Sequence, residues 1–304
     1  MSEKRIESVQ VQSSMEILKQ YHGRSMAQET LRRLLKNKGA ILGMIFLLVL
    51  IVVAILSEFI FDYNIQVIGM NPLALYATPS LQHPFGCDNM GRDILVRICY
   101  GARYSLLIGI GSVAIGLVIG IILGSLAGFY GGIIENLVMR CNDILNSIPN
   151  IMIAVVVVSI MGTSTASLLF ALCIHAANSL TRVTRAAVMQ IRDREFIESA
   201  YAMGLPTWKV ILRHIIPNCL SPIIVQCTLA VGNNIISASS LSFLGVGIPV
   251  PLPEWGAMLS DGRAYIRSAP WMCIFPGLAI MITVLALNLM GDGLRDALDP
   301  KLKK

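Results

Sequence analysis

The part of this chain whose residue types and spacing most clearly indicate a function is the stretch 195–218, which lies between two long apolar segments. Apolar residues recur there at helical spacing beside acids such as Glu198, which predicts a short helix with a mixed face. Gly204 supplies the left-handed position that commonly ends a helix, and Pro206 favours the start of another, expected to stop before Pro217. Such a helix–turn–helix offers a partner protein a compact surface. A plain connector between two spans is an equally weighted alternative.

The motifs that would give this chain a chemistry of its own are absent from its sequence. No GxxxxGK[ST], HExxH or GxSxG pattern occurs, and the seven cysteines have no metal-ligand spacing. We therefore expect no catalytic residue, no metal and no cofactor bound by this chain. We expect the cysteines to act as small apolar residues, in preference to a disulfide between Cys87 and Cys99.

The composition is that of a membrane protein. Hydrophobic residues make up 55% of the chain and charged residues 14%, and the mean hydropathy is +0.69. The run between Asp143 and Arg182 is about twice as long as a bilayer-spanning helix needs to be, so we expect it to turn near residues 162–165. Gaps between formal charges then predict six transmembrane helices, near 39–57, 106–129, 148–161, 167–181, 222–244 and 270–290.

Lys and Arg residues are concentrated in three segments, which lie on the same side of the membrane if the chain crosses it six times. Eight lie within residues 1–38, six in the loop 182–216 and three in the last four residues. The positive-inside rule therefore predicts that both termini and this loop are cytoplasmic. Three arginines in the segment expected outside are an exception, although three aspartates balance them. The net charge of +6 reflects this orientation, and no pattern indicates nucleic-acid binding.

The predicted spans lack the acids of an ion-coupled carrier, since His175 is their only ionisable side chain. With Asn178 and Ser179 nearby, we favour a hydrogen-bonded packing role for His175 over a functional one. A transporter without a motor of its own needs one from another protein. This favours the docking interpretation of the stretch 195–218.

Several motifs resemble one protein family. Glu198-Ser199-Ala200, followed by Gly204 and Ile215-Ile216-Pro217, is similar to the "EAA" loop of ABC importer permeases. Further motifs are similar to the second (C-type) permease subunit of the dipeptide/oligopeptide/nickel importer family. In chain order they are HPFGCD at 83–88, GRD at 91–93, YGAR at 100–103, LSFLG at 241–245, WG at 255–256, NLMGDGLRD at 288–296 and LDP at 298–300.

This resemblance implies an all-α membrane protein of six transmembrane helices, with type I ABC importer permease architecture, in the bacterial cytoplasmic (inner) membrane. The implied organisation is a tail 1–38, a first helix and external segment 39–103, a permease core 104–292 and a tail 293–304. The implied partners are a homologous second permease, two ABC ATP-binding subunits that carry ATP and Mg, and an extracytoplasmic substrate-binding protein.

The implied substrates are di- or oligopeptides, with nickel or another small solute as the alternative within the class. The rivals from other classes are an ion-coupled secondary transporter or channel and a receptor-type membrane anchor.

The resemblance also implies functional residues. The ATPase-coupling positions are Glu198, Ser199, Ala200, Gly204, Leu205 and Pro206. Neutral polar residues of the fifth span are candidates for the translocation path: Asn233, Asn234, Ser237 and Ser239. Many family members carry Glu where this chain has Ala238, so we expect a less acidic path here. Ser199 and Cys87 also depart from the usual Ala and Thr.

Two contacts are expected from spacing alone. Asp93 and Arg97 are four residues apart and are expected to pair on a helix that leads into the second span. Six glycines give this span small-residue faces for close helix packing, both in the permease core and against other chains. They are Gly109, Gly111, Gly116, Gly120, Gly124 and Gly128.

Overall fold

The computed structural model describes residues 26–249 and 251–298, which form an all-helical fold. Within them the only extended pairing is an isolated bridge between Cys87 and Asp93. The parts of the expected tails before residue 26 and after residue 298 lie outside the described residues. The α-helices are α1 (Met26–Leu34), α2 (Lys38–Ile60), α3 (Ile94–Tyr130), α4 (Gly132–Ser147), α5 (Asn150–Met161), α6 (Thr165–Ile191), α7 (Glu195–Ala202), α8 (Thr207–Val210), α9 (Ile216–Phe243), α10 (Trp255–Gly262) and α11 (Trp271–Leu298).

Five helical segments among the described residues are long and apolar enough to cross a bilayer. They are α2, α3, α6, the continuous segment 207–243 that contains α8 and α9, and α11, and they confirm five of the predicted spans. α3 begins at Ile94, whereas the predicted span begins near residue 106, so the helix is longer than predicted. The boundary placed after residue 103 therefore falls inside this helix.

The third predicted span is not a straight helix. α4 and α5 are bent by 90°, and the 12 residues of α5 extend about 18 Å, against roughly 30 Å of hydrocarbon. Ile148 and Pro149 form the break, because Pro149 has no N–H to donate and disfavours helical geometry at the preceding residue. α4 and α5 can therefore cross only together, as one broken span. The predicted turn that follows is confirmed, since Gly162 has a φ of +80° and Ser164 caps α6.

The sequence predicted that the second helix of the stretch 195–218 stops before Pro217. The structure shows that this helix continues. α8 leads through a π-turn at Ile211–Ile215 directly into α9. The N–H of Ile216 donates to the carbonyl of Ile211, and this wider turn accommodates a proline that cannot donate a helical bond. The stretch is therefore continuous with the fifth span.

The core of the fold is the contact between α3 and α6. A methyl group at Gly116 or Gly120 would lie 2.6 Å from a Cβ atom of α6, so only glycine permits this approach. Such proximity matters in a bilayer, where helices associate through packing because hydrophobic burial contributes little. The facing pairs are Gly116 with Ala176, Gly120 with Leu180, Gly124 with Thr184, and Gly128 with Val188.

The other two glycines of α3 also face this chain. Gly109 lies against Ile235 of α9, and Gly111 lies against Leu169 of α6. All six small-residue positions are thus used within the chain. The expectation of internal packing is confirmed, and the expectation that these faces also contact other chains stays a prediction.

Buried ion pairs hold the segment between α2 and α3 against α10. Asp88 accepts hydrogen bonds from the side-chain Nε of Arg92 at 2.6 Å and from its backbone N–H at 3.0 Å. Nε of Arg97 lies 3.7 Å from the same carboxylate, and Nη2 of Arg92 lies 3.7 Å from Asp261 of α10. Both arginines are almost fully buried, so Asp88 is the main counter-charge for two desolvated guanidinium groups.

The predicted pair of Asp93 with Arg97 is therefore wrong. Asp93 is the N-cap of α3, where its carboxylate accepts from the Val96 N–H at 3.1 Å and lies 2.8 Å from Nδ1 of His83. Arg97 donates instead to the carbonyl of Val67 at 3.1 Å. A carboxylate at an N-cap turns back onto the first helical turn, which directs it away from the residue four positions later.

The cysteines are free thiols, including Cys87 and Cys99, as expected. Burial, together with the charges of Asp93 and Asp88, raises the pKa of the Cys87 thiol to about 11. Cys87 therefore stays protonated at neutral pH.

The α3–α6 contact predicts a difference between two glycine-to-alanine changes. Gly120→Ala places a methyl group 2.6 Å from Cβ of Leu180 and should lower stability by about 1–3 kcal/mol through overpacking. Gly232→Ala in α9 meets its nearest atom at 3.5 Å and should be neutral, or stabilising by up to about 1 kcal/mol. Thermal unfolding of the two purified variants in detergent measures the difference. Equal midpoints would contradict the packing argument.

The ion cluster predicts a second difference. Asp88→Asn leaves Arg92 and Arg97 buried without their main counter-charge and should cost about 3–5 kcal/mol. Asp261→Asn removes a more exposed carboxylate 3.7 Å from Arg92 and should cost less than about 1 kcal/mol. Protease sensitivity of residues 61–93 and the unfolding midpoint are the measurements. A larger effect at Asp261 would show that the arginines depend on the other acid.

Candidate functional site

The 195–215 hairpin consists of α7, a tight turn, α8 and the π-turn that leads into α9. Gly204 has a φ of +77°, in agreement with the left-handed position expected from the sequence. Its N–H donates to the Tyr201 carbonyl at 2.8 Å, and the N–H of Leu205 donates to the Ala200 carbonyl at 3.2 Å. These two bonds form a Schellman motif, which ends α7 and sets the direction in which α8 leaves.

One face of the hairpin is part of the protein core. Ile197 of α7 and Val210, Ile211 and Ile215 of the second half are buried in the main hydrophobic cluster. These side chains lie at helical spacing, so each half of the hairpin is anchored along its length. The hairpin is therefore anchored in the core of the protein.

The opposite face exposes large apolar side chains. Met203, Trp208 and Leu212 are 73%, 60% and 59% exposed, and Phe196 and Tyr201 are also accessible. The same segment carries four formal charges and lies between two predicted spans, so it is placed at the membrane surface. Exposed aromatic and aliphatic side chains in such a setting are typical of a protein–protein contact.

The six predicted coupling residues do not share one environment. Glu198, Ser199, Gly204 and Pro206 are exposed, whereas Ala200 is buried and Leu205 packs on the core. The Ser199 hydroxyl donates to the Glu195 carbonyl at 2.9 Å, within α7. Among the described residues, none hydrogen-bonds or pairs with the Glu198 carboxylate. Glu198 is thus a free charge on this surface, and Ala200 and Leu205 shape the turn.

Arg182 and Arg185 of α6, and Arg192 directly after it, join this helix to α4 and α3 just before the hairpin begins. Arg182 pairs with Asp143 of α4 at 2.8 Å, and Arg185 pairs with Glu135 of the same helix. Arg192 donates to carbonyl oxygens at the end of α3, at 2.9 and 3.4 Å. In the sequence, these arginines indicated only the side of the membrane on which the loop lies. For Arg182 and Arg185 the signal for pairing was their helical spacing, together with two acids in the segment that became α4.

The four candidate path residues of α9 divide between two faces. Asn233 and Ser237 lie one turn apart on the accessible side of the helix. Asn234 is fully buried and donates to the Ser112 hydroxyl of α3 at 2.7 Å, and Ser239 is buried against α10. The structure therefore places Asn234 and Ser239 in packing contacts and leaves Asn233 and Ser237 accessible.

Polar contacts beside this accessible face were not predicted. Gln226 donates to the Ser179 hydroxyl of α6 at 2.9 Å. Nε2 of His175 lies 3.3 Å from the side-chain amide of Asn150, at the start of α5. His175 is therefore hydrogen-bonded, as expected from the sequence, and its role as a packing residue stays a prediction. Gln226 could have been found from the sequence, because it lies seven residues before Asn233 and so on the same helical face.

The buried carboxylates near the other end of the molecule serve structure. Glu254 accepts from the backbone N–H groups of Gly256 and Ala257, both at 2.9 Å, and so caps α10. Burial raises the pKa of Asp261, although Arg92 opposes this shift. Within the described ranges, no group of three or more His, Cys, Asp or Glu side chains could hold a metal ion.

Comparison with known proteins finds close relatives. The chain is 44% identical over 284 residues to the dipeptide transport system permease protein DppC of Alkalihalophilus pseudofirmus, which covers 93% of each chain. It is 43% identical over 293 residues to the glutathione transport system permease protein GsiD of Escherichia coli O157:H7, which covers 96% of each chain. Among solved structures, an inward-facing MetNI methionine ABC transporter chain has a TM-score of 0.55 at 21% identity, over 68% of this chain and 96% of that one. This last likeness shows a shared fold.

Two family models match the chain. Residues 25–84 match the N-terminal TM domain of oligopeptide transport permease C, and residues 120–304 match the binding-protein-dependent transport system inner membrane component. The second match covers more than half of the chain and includes the hairpin, α6 and α9. The protein therefore belongs to the family of binding-protein-dependent transport system inner membrane components, the multi-pass permeases of bacterial ABC importers.

Proposed function

We propose that this chain is one of two permease subunits of an ATP-driven importer of di- or oligopeptides. The observation that carries the proposal is the 195–215 hairpin, which is anchored in the core on one face and exposes apolar residues and a free carboxylate on the other. The relatives' names support the substrate class, because dipeptides and glutathione are both short peptides. Family membership favours this function over the ion-coupled transporter and the receptor-type anchor.

In this proposal the hairpin is the contact to an ATP-binding subunit. Phe196, Trp208 and Leu212 provide apolar contact area, and Glu198 provides an unpaired charge for a basic group or a helix N-terminus of the partner. Gly204 sets the angle between the two halves. ATP and Mg²⁺ bind to two such partner subunits, and closure of those subunits moves the hairpin.

The remaining partners follow from the same proposal. A homologous second permease completes the path across the membrane, and an extracytoplasmic binding protein delivers the peptide. Both termini and the hairpin then face the cytoplasm, in agreement with the Lys and Arg distribution.

The turn of the hairpin supplies the test of coupling. A side chain at Gly204 would meet no atom within 4 Å, so only its φ of +77° opposes substitution. Gly204→Val should cost about 1–2 kcal/mol or more in backbone strain and reduce peptide uptake roughly tenfold. Gly204→Asn should retain most uptake, because Asn tolerates left-handed geometry.

The measurement is ATP-dependent uptake of a labelled dipeptide by vesicles that contain the assembled transporter. Recovery of the ATP-binding subunit with each variant, and its ATPase rate, separate failed docking from failed assembly. Normal uptake by Gly204→Val would mean that the hairpin is only a connector. Absence of dipeptide uptake by the unaltered complex would refute the substrate class.

The orientation supplies a separate test. Trp208→Cys lies on the exposed face of the hairpin, and Ser268→Cys lies in the exposed connection between α10 and α11. We expect a membrane-impermeant thiol reagent to label position 208 only from the cytoplasmic side and position 268 only from outside. Labelling of both from one side would rule out the proposed topology.

A further inference from the structure

Uncharged polar side chains of α9, α6 and the α4–α5 bend together form a polar surface, which we name the groove. A 2.9 Å hydrogen bond from Gln226 to Ser179 joins α9 and α6 there. His175 lies one turn from Ser179 on α6, and its Nε2 is 3.3 Å from the amide of Asn150 at the bend. Hydrogen bonds therefore link polar groups of three separate elements.

α9 extends this polar lining along its length. Gln226, Asn233 and Ser237 are at i, i+7 and i+11, so they lie within about 40° of one another around the helix. Asn233 is exposed, and no described residue hydrogen-bonds to its side chain or to that of Ser237. Nδ1 of His175 is buried, and it also has no hydrogen-bond partner among the described residues. The groove thus has unused donors and acceptors.

The other accessible faces of the long helices are mostly apolar, and Asn288 is a polar exception on α11. α3 exposes Ile110 and Val118, and α11 exposes Met281 and Leu285. Side chains of this type suit contact with lipid, whereas an unpaired amide in hydrocarbon is costly. The polar stripe is therefore stable only where water, a solute or another polar surface pairs with it.

We propose that this groove is the part of the translocation path that binds the peptide backbone, with Gln226, Asn233 and His175 as its specificity-determining residues. The proposal rests on the function proposed above. Amide, hydroxyl and imidazole groups each offer donors and acceptors, as does an extended peptide with its alternating N–H and C=O groups. The groove therefore holds peptides by a feature that all of them share.

The charges around the groove support a neutral path. The lining residues of α6 and α9 include no carboxylate, lysine or arginine. The nearest charge along α6 is Arg182, three residues beyond Ser179, and it is paired with Asp143. A path of this kind does not select peptides by side-chain charge, so an added charge should create such a selection.

The experiment introduces opposite charges at Asn233 in the assembled transporter. Uptake is measured for two dipeptides that differ only in a glutamate or a lysine side chain. Asn233→Asp should lower the ratio of glutamate-peptide to lysine-peptide uptake by roughly tenfold, and Asn233→Lys should raise it by a similar factor. A defect in folding or assembly lowers both uptakes together and cannot produce shifts of opposite sign.

Asn288 provides the matched control, since it is an exposed asparagine on α11 outside the groove. Asn288→Asp and Asn288→Lys should leave the ratio unchanged. Unchanged ratios at Asn233, or equal shifts at both positions, would overturn the proposal. Failure of the unaltered transporter to import either peptide would refute the proposed function instead.

A second measurement covers variants that do not assemble with a charge at position 233. A charged, membrane-impermeant thiol reagent should modify Asn233→Cys beyond the level of the unaltered chain, and peptide with ATP should slow the reaction. Ile110→Cys, on the apolar face of α3, should not be modified above that level. No added modification at position 233 would show that the groove is not part of an aqueous path.

Discussion

The close contact between α3 and α6 is the constraint on which the rest of this structure depends. In a bilayer the hydrophobic effect does little to join two helices, so the attraction comes from close packing and its geometry. Glycines spaced four apart on α3 meet successive turns of α6, and a methyl group at Gly116 or Gly120 would already be at 2.6 Å. This close fit allows one register only, because any slip would bring side chains into the space that the glycines leave open.

The register of α6 in turn positions everything that contacts its other faces. Asn142 and Asn178 exchange hydrogen bonds with each other's backbone at 3.3 and 3.4 Å and hold α4, while Ser179 binds Gln226 of α9. Each such bond is worth only about 1 kcal/mol within a membrane, so these contacts orient helices that packing already brings together. Orientation is nonetheless what the groove needs, since it places the polar faces of three elements toward one another.

The hairpin and the groove are connected by one helical path. Residues 207–243 run without a break from the exposed surface of α8 through the π-turn to the polar face of α9. In the proposed function, movement of the hairpin by an ATP-binding subunit therefore reaches Asn233 through a single element. The π-turn is the place in this path where the helical hydrogen bonding already departs from the regular pattern, which suits it to absorb a change in angle.

The sequence by itself determined the membrane class, five of the spans, the turn at Gly162, the left-handed Gly204 and the family, because each depends on local composition, backbone preference or a motif. Only the tertiary structure decided the bend at Pro149, the helical continuity through Pro217 and the capping role of Asp93. It also separated Asn233 from Asn234, which are adjacent in the chain but point to different sides of α9. The physical reason is the same in each case: pattern shows that a residue is polar or helix-breaking, whereas its partner depends on which helix packs beside it.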